Sequence, residues 1–235
     1  MVAAEVGQSL RFDEGLGPVL EPALGESGIE VLDQSGADDA LASISATVGL
    51  VRSRLDQSVA VIGFCGGAWT VATYMVAGRS SGDHFQARAM AYRDPEGFQT
   101  LIDMLCQVSV DYLVSQAHAG ADVLKVFDSW AGILPEREFE RWVIKPTRRI
   151  VDGVRRAVPD VPIIGFPRGA GSLYGRFVAE TGVDAVAIDT QVGNVLGRQL
   201  QARVPVQGNV DPVALEVGGR ALDEAVEQAL ETYGQ

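Results

Sequence analysis

Cysteine is scarce in this chain of 235 residues: only Cys65 and Cys106 occur, and they form no CxxC pair. That rules out a disulfide framework and a cysteine-rich zinc module, and it fits a reducing compartment. Histidine is equally scarce. His84 has no second histidine or cysteine at ligand spacing, and His118 falls near the end of a predicted helix, where an imidazole complements the helix dipole. No metal is expected. The sequence has no apolar run of the ~18 residues a membrane span needs and no basic leader followed by an apolar stretch, so a cytoplasmic chain without membrane contact is expected. It also lacks GxGxxG and GxxxxGK[ST], hence a recognisable phosphate cradle. The formal net charge of −12 works against nucleic acid or an anionic membrane as partner. A polycarboxylate ligand would need locally placed arginines.

What is present is apolar and alternating. A hydrophobic content of 47% supplies ample core, and no repeat, low-complexity tract or linker divides the chain. Its organising stretch is VAVIGFCGGAWTVATYMVAG, residues 59–78. Val59 to Phe64 has the length and β-branched content of a buried strand, Gly66-Gly67 a tight break, and Trp69 to Ala77 the pattern of a helix stopping at Gly78. Strand, glycine turn and helix open a βαβ unit, whose ligands sit beyond the carboxyl end of the strand. Pattern alone leaves open whether this turn binds anything.

The rest of the chain reads in the same manner. Residues 1–36 are weakly patterned, with a short Leu10-Arg11-Phe12 stretch and a turn at Glu14-Gly15-Leu16-Gly17-Pro18. A helix over 37–55 puts Leu41, Ile44, Val48, Val51 and Leu55 on one face, with Asp38 or Asp39 as cap. Arg79-Ser80-Ser81-Gly82 reads as a polar loop. Helices follow at Asp83–Tyr92 and Pro95–Ala119, the second with Phe98, Leu101, Leu105, Val108 and Tyr112 inward. A strand at Val123–Phe127 carries Lys125, facing either a polar interior or solvent, and ends on Asp128-Ser129-Trp130. Pro146 is expected to interrupt a helix that starts at Pro135-Glu136, leaving a second piece at 147–157 whose Arg148, Arg149, Arg155 and Arg156 form a solvated face. Further strands are expected at Val161–Phe166, Ala185–Ile188 and Val204–Gln207. Helices are expected at 172–181, 195–202 and 220–233. Arg168, in the loop after the third strand, is placed to meet a carboxylate. Five strand–helix repeats argue a parallel sheet with helices outside, closed as a (β/α)8 barrel or open as a doubly wound sheet.

The stretch GFCGGAWTVATYMVAG closely resembles the GF(A/S)GAPWTLATYMVEG motif of the uroporphyrinogen decarboxylase family. FDSWAG (127–132) and GNVDP (208–212) resemble the same family in the same order. The resemblance implies a single TIM-barrel-like α/β domain over 1–235, incomplete, with about five recognisable repeats. It further implies a homodimeric, cytoplasmic carboxy-lyase without cofactor. Such an enzyme removes the four acetate carboxyl groups of uroporphyrinogen III to give coproporphyrinogen III in haem biosynthesis. Residue by residue it carries over Tyr74 and Ser129 as hydroxyl donors to substrate carboxylates, and Phe64 and Phe127 as apolar walls. No catalytic residue carries over. No RQAGR arginine segment, FSDIL-type aspartate strand or GHGI histidine segment occurs in the sequence. A chain truncated at both ends is therefore expected, and these 235 residues alone are expected to turn over poorly. Two departures from the family pattern are Ala68 for proline and Thr190 for tryptophan, and the second is expected to alter packing only. The alternatives are an inactive tetrapyrrole-binding or interaction protein, and a corrinoid-linked methyltransferase of the same superfamily. The methyltransferase would need a cysteine–histidine zinc site.

Overall fold

A computed structural model describes residues 2–13, 17–30, 32, 38–79 and 82–234. The turn expected at Glu14-Gly15-Leu16, the side chains of Asp38 and Asp39, and Ser80-Ser81 lie outside the described residues. Among the described residues seven strands fall into two sheets. A hairpin pairs β1 (Ser9–Asp13) with β2 (Gly17–Glu21), and five parallel strands stand in chain order: β3 (Ile62–Gly66), β4 (Val123–Asp128), β5 (Ile163–Pro167), β6 (Ala185–Ala187) and β7 (Val206–Gln207). The helices are α1 (Val2–Glu5), α2 (Leu24–Ser27), α3 (Asp38–Arg54), α4 (Ala68–Ala77), α5 (Phe85–Arg93) and α6 (Pro95–His118), then α7 (Glu136–Phe139), α8 (Lys145–Ala157), α9 (Tyr174–Thr181), α10 (Asn194–Gln201), α11 (Pro212–Val217) and α12 (Gly219–Tyr233). Sequential parallel strands with helices between them are the layout of a (β/α) barrel. Among the described residues β3 and β7 are both edges, so the sheet is an open segment of one.

Alternation along the strands separates two faces. In β4, Leu124, Val126 and Asp128 are buried, whereas Val123, Lys125 and Phe127 are only half-buried. Register continues this second face across the sheet, pairing Phe64 with Lys125 and Lys125 with Ile164. Lys125 faces this inner side: its ammonium donates to Gln207 Oε1 at 2.7 Å and stands 5.1 Å over the Phe166 ring. Loss of solvation lowers its pKa.

The core lies between the sheet and its helices. α6 fits the expected pattern: Phe98, Leu101, Leu105, Val108 and Tyr112 are all buried, and Asp94 caps the helix by accepting from the Gly97 N–H at 2.9 Å. Phe98 joins two buried tryptophans, tilted against Trp69 at 5.8 Å and edge-on to Trp142 at 4.8 Å.

Several expectations need correction. β3 starts at Ile62, because Arg52 ties the preceding stretch into a loop by donating to the Val59, Leu55 and Asp56 carbonyls. α3 packs through Leu41, Ile44 and Val48, but Val51 and Leu55 at its end are exposed. Pro146 does not break its helix. A π-turn over Glu140–Ile144 joins α7 to α8, the Lys145 N–H reaching back to Glu140, and Pro146 falls in the first turn of α8, where no donor is required. The weakly patterned amino end forms the β1–β2 hairpin, with Arg11 bridging Asp13 at 3.1 Å and Glu21 at 3.0 Å. The strands expected at Val161, Ala185 and Val204 are shorter or shifted by one or two residues, as Pro162 and Pro205 delay pairing. Of the basic face on α8, Arg148 pairs with Asp152, Arg149 with Asp103 and Arg155 with Asp184, all at the surface.

Candidate active site

The carboxyl ends of β3 and β4 are fastened to one another through helix α4. Its N-cap is Gly67, which offers no side chain to the free N–H groups of the first turn. Asp128, at the end of β4 and 58 residues beyond Thr70, takes that role. Its Oδ1 accepts from the Thr70 backbone N–H at 3.2 Å and from the Thr70 hydroxyl at 2.5 Å. The same hydroxyl oxygen accepts the Trp130 N–H at 3.1 Å, and the Trp69 indole N–H donates to the Trp130 carbonyl at 3.1 Å. Gly67 N–H closes the arrangement on the Phe127 carbonyl at 2.7 Å. Glycine is needed at 67 in this packing, since a Cβ there would lie 2.5 Å from Asp128 Oδ2. Asp128 is thus a buried cap supplied from another strand, and its burial pushes the carboxyl up to about 7 against the pull of the Thr70 hydrogen bonds.

At the open edge of β3, a cavity of about 370 Å³ is walled by Phe64 and Phe127 of the inner face, by Cys65 of the helical face, and by Leu10, Phe12, Val71 and Tyr74. The Phe64 and Phe127 rings tilt against each other at 5.8 Å, and Phe64 stays 55% exposed, leaving an aromatic surface open to a ligand. A second cavity of about 270 Å³ lies at the ends of β4, β5 and β6, lined by Ser129, Trp130, Gly132, Arg168, Asp189 and Thr190. Among the described residues neither the Tyr74 nor the Ser129 hydroxyl has a hydrogen-bond partner. The structure therefore gathers Phe64, Phe127 and Tyr74 in one cavity and puts Ser129 in its neighbour, two residues past Phe127. Asn209, just past β7, donates to the Asp189 and Val192 carbonyls, at 3.1 Å each. Thr190 lines the second cavity.

Reading the residues in order missed Thr70 and the hairpin walls Leu10 and Phe12. A threonine in a helix carries no sign of a partner 58 residues on. His84 is buried, with φ of 51° and its ring 4.3 Å from that of Trp130, so it packs beneath the FDSWAG turn. Burial pushes both cysteine thiols up to about 12, and among the described residues no group of three or more histidine, cysteine and carboxylate side chains is placed to hold a metal ion.

The two strand-end loops meet as bare backbone. A Cβ on Gly132 would stand 2.3 Å from the Gly169 carbonyl oxygen and 2.5 Å from its carbon. Gly132→Ala is therefore expected to cost about 1–3 kcal/mol by overpacking and to part the two loops. Denaturant unfolding checks this, and a loss below ~0.5 kcal/mol would mean the contact is not tight.

Fold and site together define an α/β barrel-type protein with a largely apolar cavity and a polar one at the carboxyl ends of its strands. The model of the uroporphyrinogen decarboxylase (URO-D) family matches residues 1–235, and the chain belongs to that family. A uroporphyrinogen decarboxylase from Chelativorans sp. (strain BNC1) is 46% identical over 229 residues, covering 97% of this chain and 67% of the relative. Those from Brucella anthropi and Brucella canis are each 45% identical, covering 98% and 100% of this chain and 67% and 69% of their own lengths. Among solved structures, a methyltransferase from Methanosarcina mazei superposes with a TM-score of 0.75 over 98% of this chain and 68% of its own, at 15% identity, a likeness of fold alone.

Proposed function

We propose that this site binds uroporphyrinogen III and removes its four acetate carboxyl groups as carbon dioxide, giving coproporphyrinogen III. The observation that carries the reading is the convergence of Phe64, Phe127 and the uncommitted Tyr74 hydroxyl on one cavity, with Ser129 alongside, at the carboxyl ends of parallel strands. A proton from solvent added to a pyrrole carbon makes the substrate's own ring the electron sink; loss of carbon dioxide then leaves an exocyclic methylene, which takes up a second proton while the ring releases the first, so each acetate arm becomes a methyl with net uptake of one proton. The protein's task is then positioning. The aromatic walls pack against the macrocycle and exclude water, and the hydroxyls of Tyr74 and Ser129 donate to carboxylates at its rim. The same reading carries a single barrel-type domain, a cytosolic setting and a homodimer, the last measurable by sedimentation.

The test is to incubate reduced uroporphyrinogen III with the natural protein that carries this sequence and to separate the seven- to four-carboxylate products by chromatography. Each hydroxyl's hydrogen bond to a charged group is worth about 1.5–3 kcal/mol, so Tyr74→Phe and Ser129→Ala should each lower turnover about ten- to a hundredfold while leaving the fold intact. Absence of the product series would overturn the reading, and unchanged kinetics in both variants would overturn the roles of the two residues.

A further inference from the structure

The second cavity holds a cation that the proposed chemistry has not yet used. Arg168 follows the last residue of β5 and is exposed at the mouth, and among the described residues its guanidinium makes no ion pair or hydrogen bond. It shares the cavity of about 270 Å³ with the free Ser129 hydroxyl. We propose that this cavity receives one carboxylate arm of the tetrapyrrole, held between the Arg168 guanidinium and Ser129, while the ring lies on the Phe64 and Phe127 walls. The inference rests on the function proposed above and assigns a binding group to it.

Three features support it. First, Phe127 walls one cavity and Ser129, two residues further along the chain at the end of β4, lines the other, so a ring against Phe127 has Ser129 within reach of an arm on its rim. Second, the carboxylate among the lining residues is already engaged. Asp189 Oδ2 accepts from the Gly169 N–H at 2.7 Å and the Tyr174 hydroxyl at 2.9 Å, and Oδ1 accepts from the Gln191 N–H at 2.9 Å. Arg168 is left to an incoming anion. Third, the backbone that presents Arg168 is held on both sides, its N–H donating to the Asp128 carbonyl at 3.1 Å and its carbonyl accepting from Gly132 at 3.0 Å. Little ordering is then needed on binding. The need for such a group follows from charge: a chain with formal net charge −12 repels a polycarboxylate at long range, so capture depends on cations at the site itself.

The experiment titrates coproporphyrin III, uroporphyrin III and coproporphyrin tetramethyl ester against the chain, following quenching of tryptophan fluorescence, for wild type, Arg168→Gln and Arg168→Lys. Loss of a charge-assisted hydrogen bond should weaken carboxylate binding about tenfold or more in Arg168→Gln and less in Arg168→Lys, with the ester bound equally by all three. An equal loss with both free acids identifies a propionate arm, and a loss confined to uroporphyrin identifies an acetate arm. Wild-type affinity of Arg168→Gln for both acids, or an equal loss with the ester, would overturn the arm assignment while leaving the proposed function standing. If wild type binds none of the three, the proposed function falls and this inference with it.

Discussion

Trp69→Ala is expected to remove about 3–5 kcal/mol of stability, the range for deleting a large buried aromatic, out of the ~5–15 kcal/mol a domain typically has. Trp69 is fully buried and ends a row of rings through Phe98 to Trp142. Its indole N–H is also what holds the Trp130 carbonyl, so the substitution both opens a void and leaves an acceptor without its donor. Trp69→Phe keeps much of the volume and loses the hydrogen bond, so it should cost about 1–2 kcal/mol. Denaturant unfolding of both variants separates the two contributions. A loss below ~1 kcal/mol for the alanine would mean that the row of rings is not the anchor of this core.

Wild-type stability relative to Asp128→Asn should fall by about 4 kcal/mol as pH rises from about 4 to about 7, the largest pH effect expected from one group here. The sign follows from linkage. Burial raises the Asp128 carboxyl from its ordinary 3.8 to about 7 in the folded chain. Between these values the folded state holds a proton that the unfolded state has released, so stability is full below the lower value and lost as pH passes the upper. The Thr70 N–H lies in the first turn of α4, whose dipole favours the anion, so about 4 kcal/mol is an upper figure. Asparagine keeps the acceptor oxygen for Thr70 and does not titrate. Unfolding free energies of both proteins at pH 4, 6 and 8 give the difference directly, and a difference independent of pH would contradict the buried-cap account.

How much of this could be read in advance differs by element. α6 was legible throughout, because Pro95 opens it, Gly120 closes it and every expected inward residue is buried. β4 was legible for the same reason, being a short apolar run with polar residues at its end. The start of β3 was not, because the apolar Val59–Val61 looks like strand while Arg52, from a preceding helix, holds that stretch as loop. The joint between α7 and α8 is not legible because a local rule about proline cannot foresee a π-turn that ends two residues before Pro146. In the site, Phe64, Phe127, Tyr74 and Ser129 could be named only by likeness to a family, since nothing in their spacing distinguishes them from packing residues. The cap that Asp128 gives α4 was invisible, because it joins two turns that meet only in the folded sheet. The split into an apolar and a polar cavity was invisible too, since the polar one is built from loops after β4, β5 and β6 that meet only in the folded sheet.

The central claim is that the tetrapyrrole sits on the inner face of the sheet at the carboxyl ends of β3 and β4. A crystal structure of the protein with coproporphyrinogen III, or with its oxidised porphyrin, measures this most directly. The macrocycle is expected in contact with the Phe64 and Phe127 rings, with the Tyr74 and Ser129 hydroxyls within hydrogen-bonding distance of carboxylates on its rim. A macrocycle bound at the amino ends of the strands or on the helical side, with the Phe64–Phe127 cavity empty, would contradict the account.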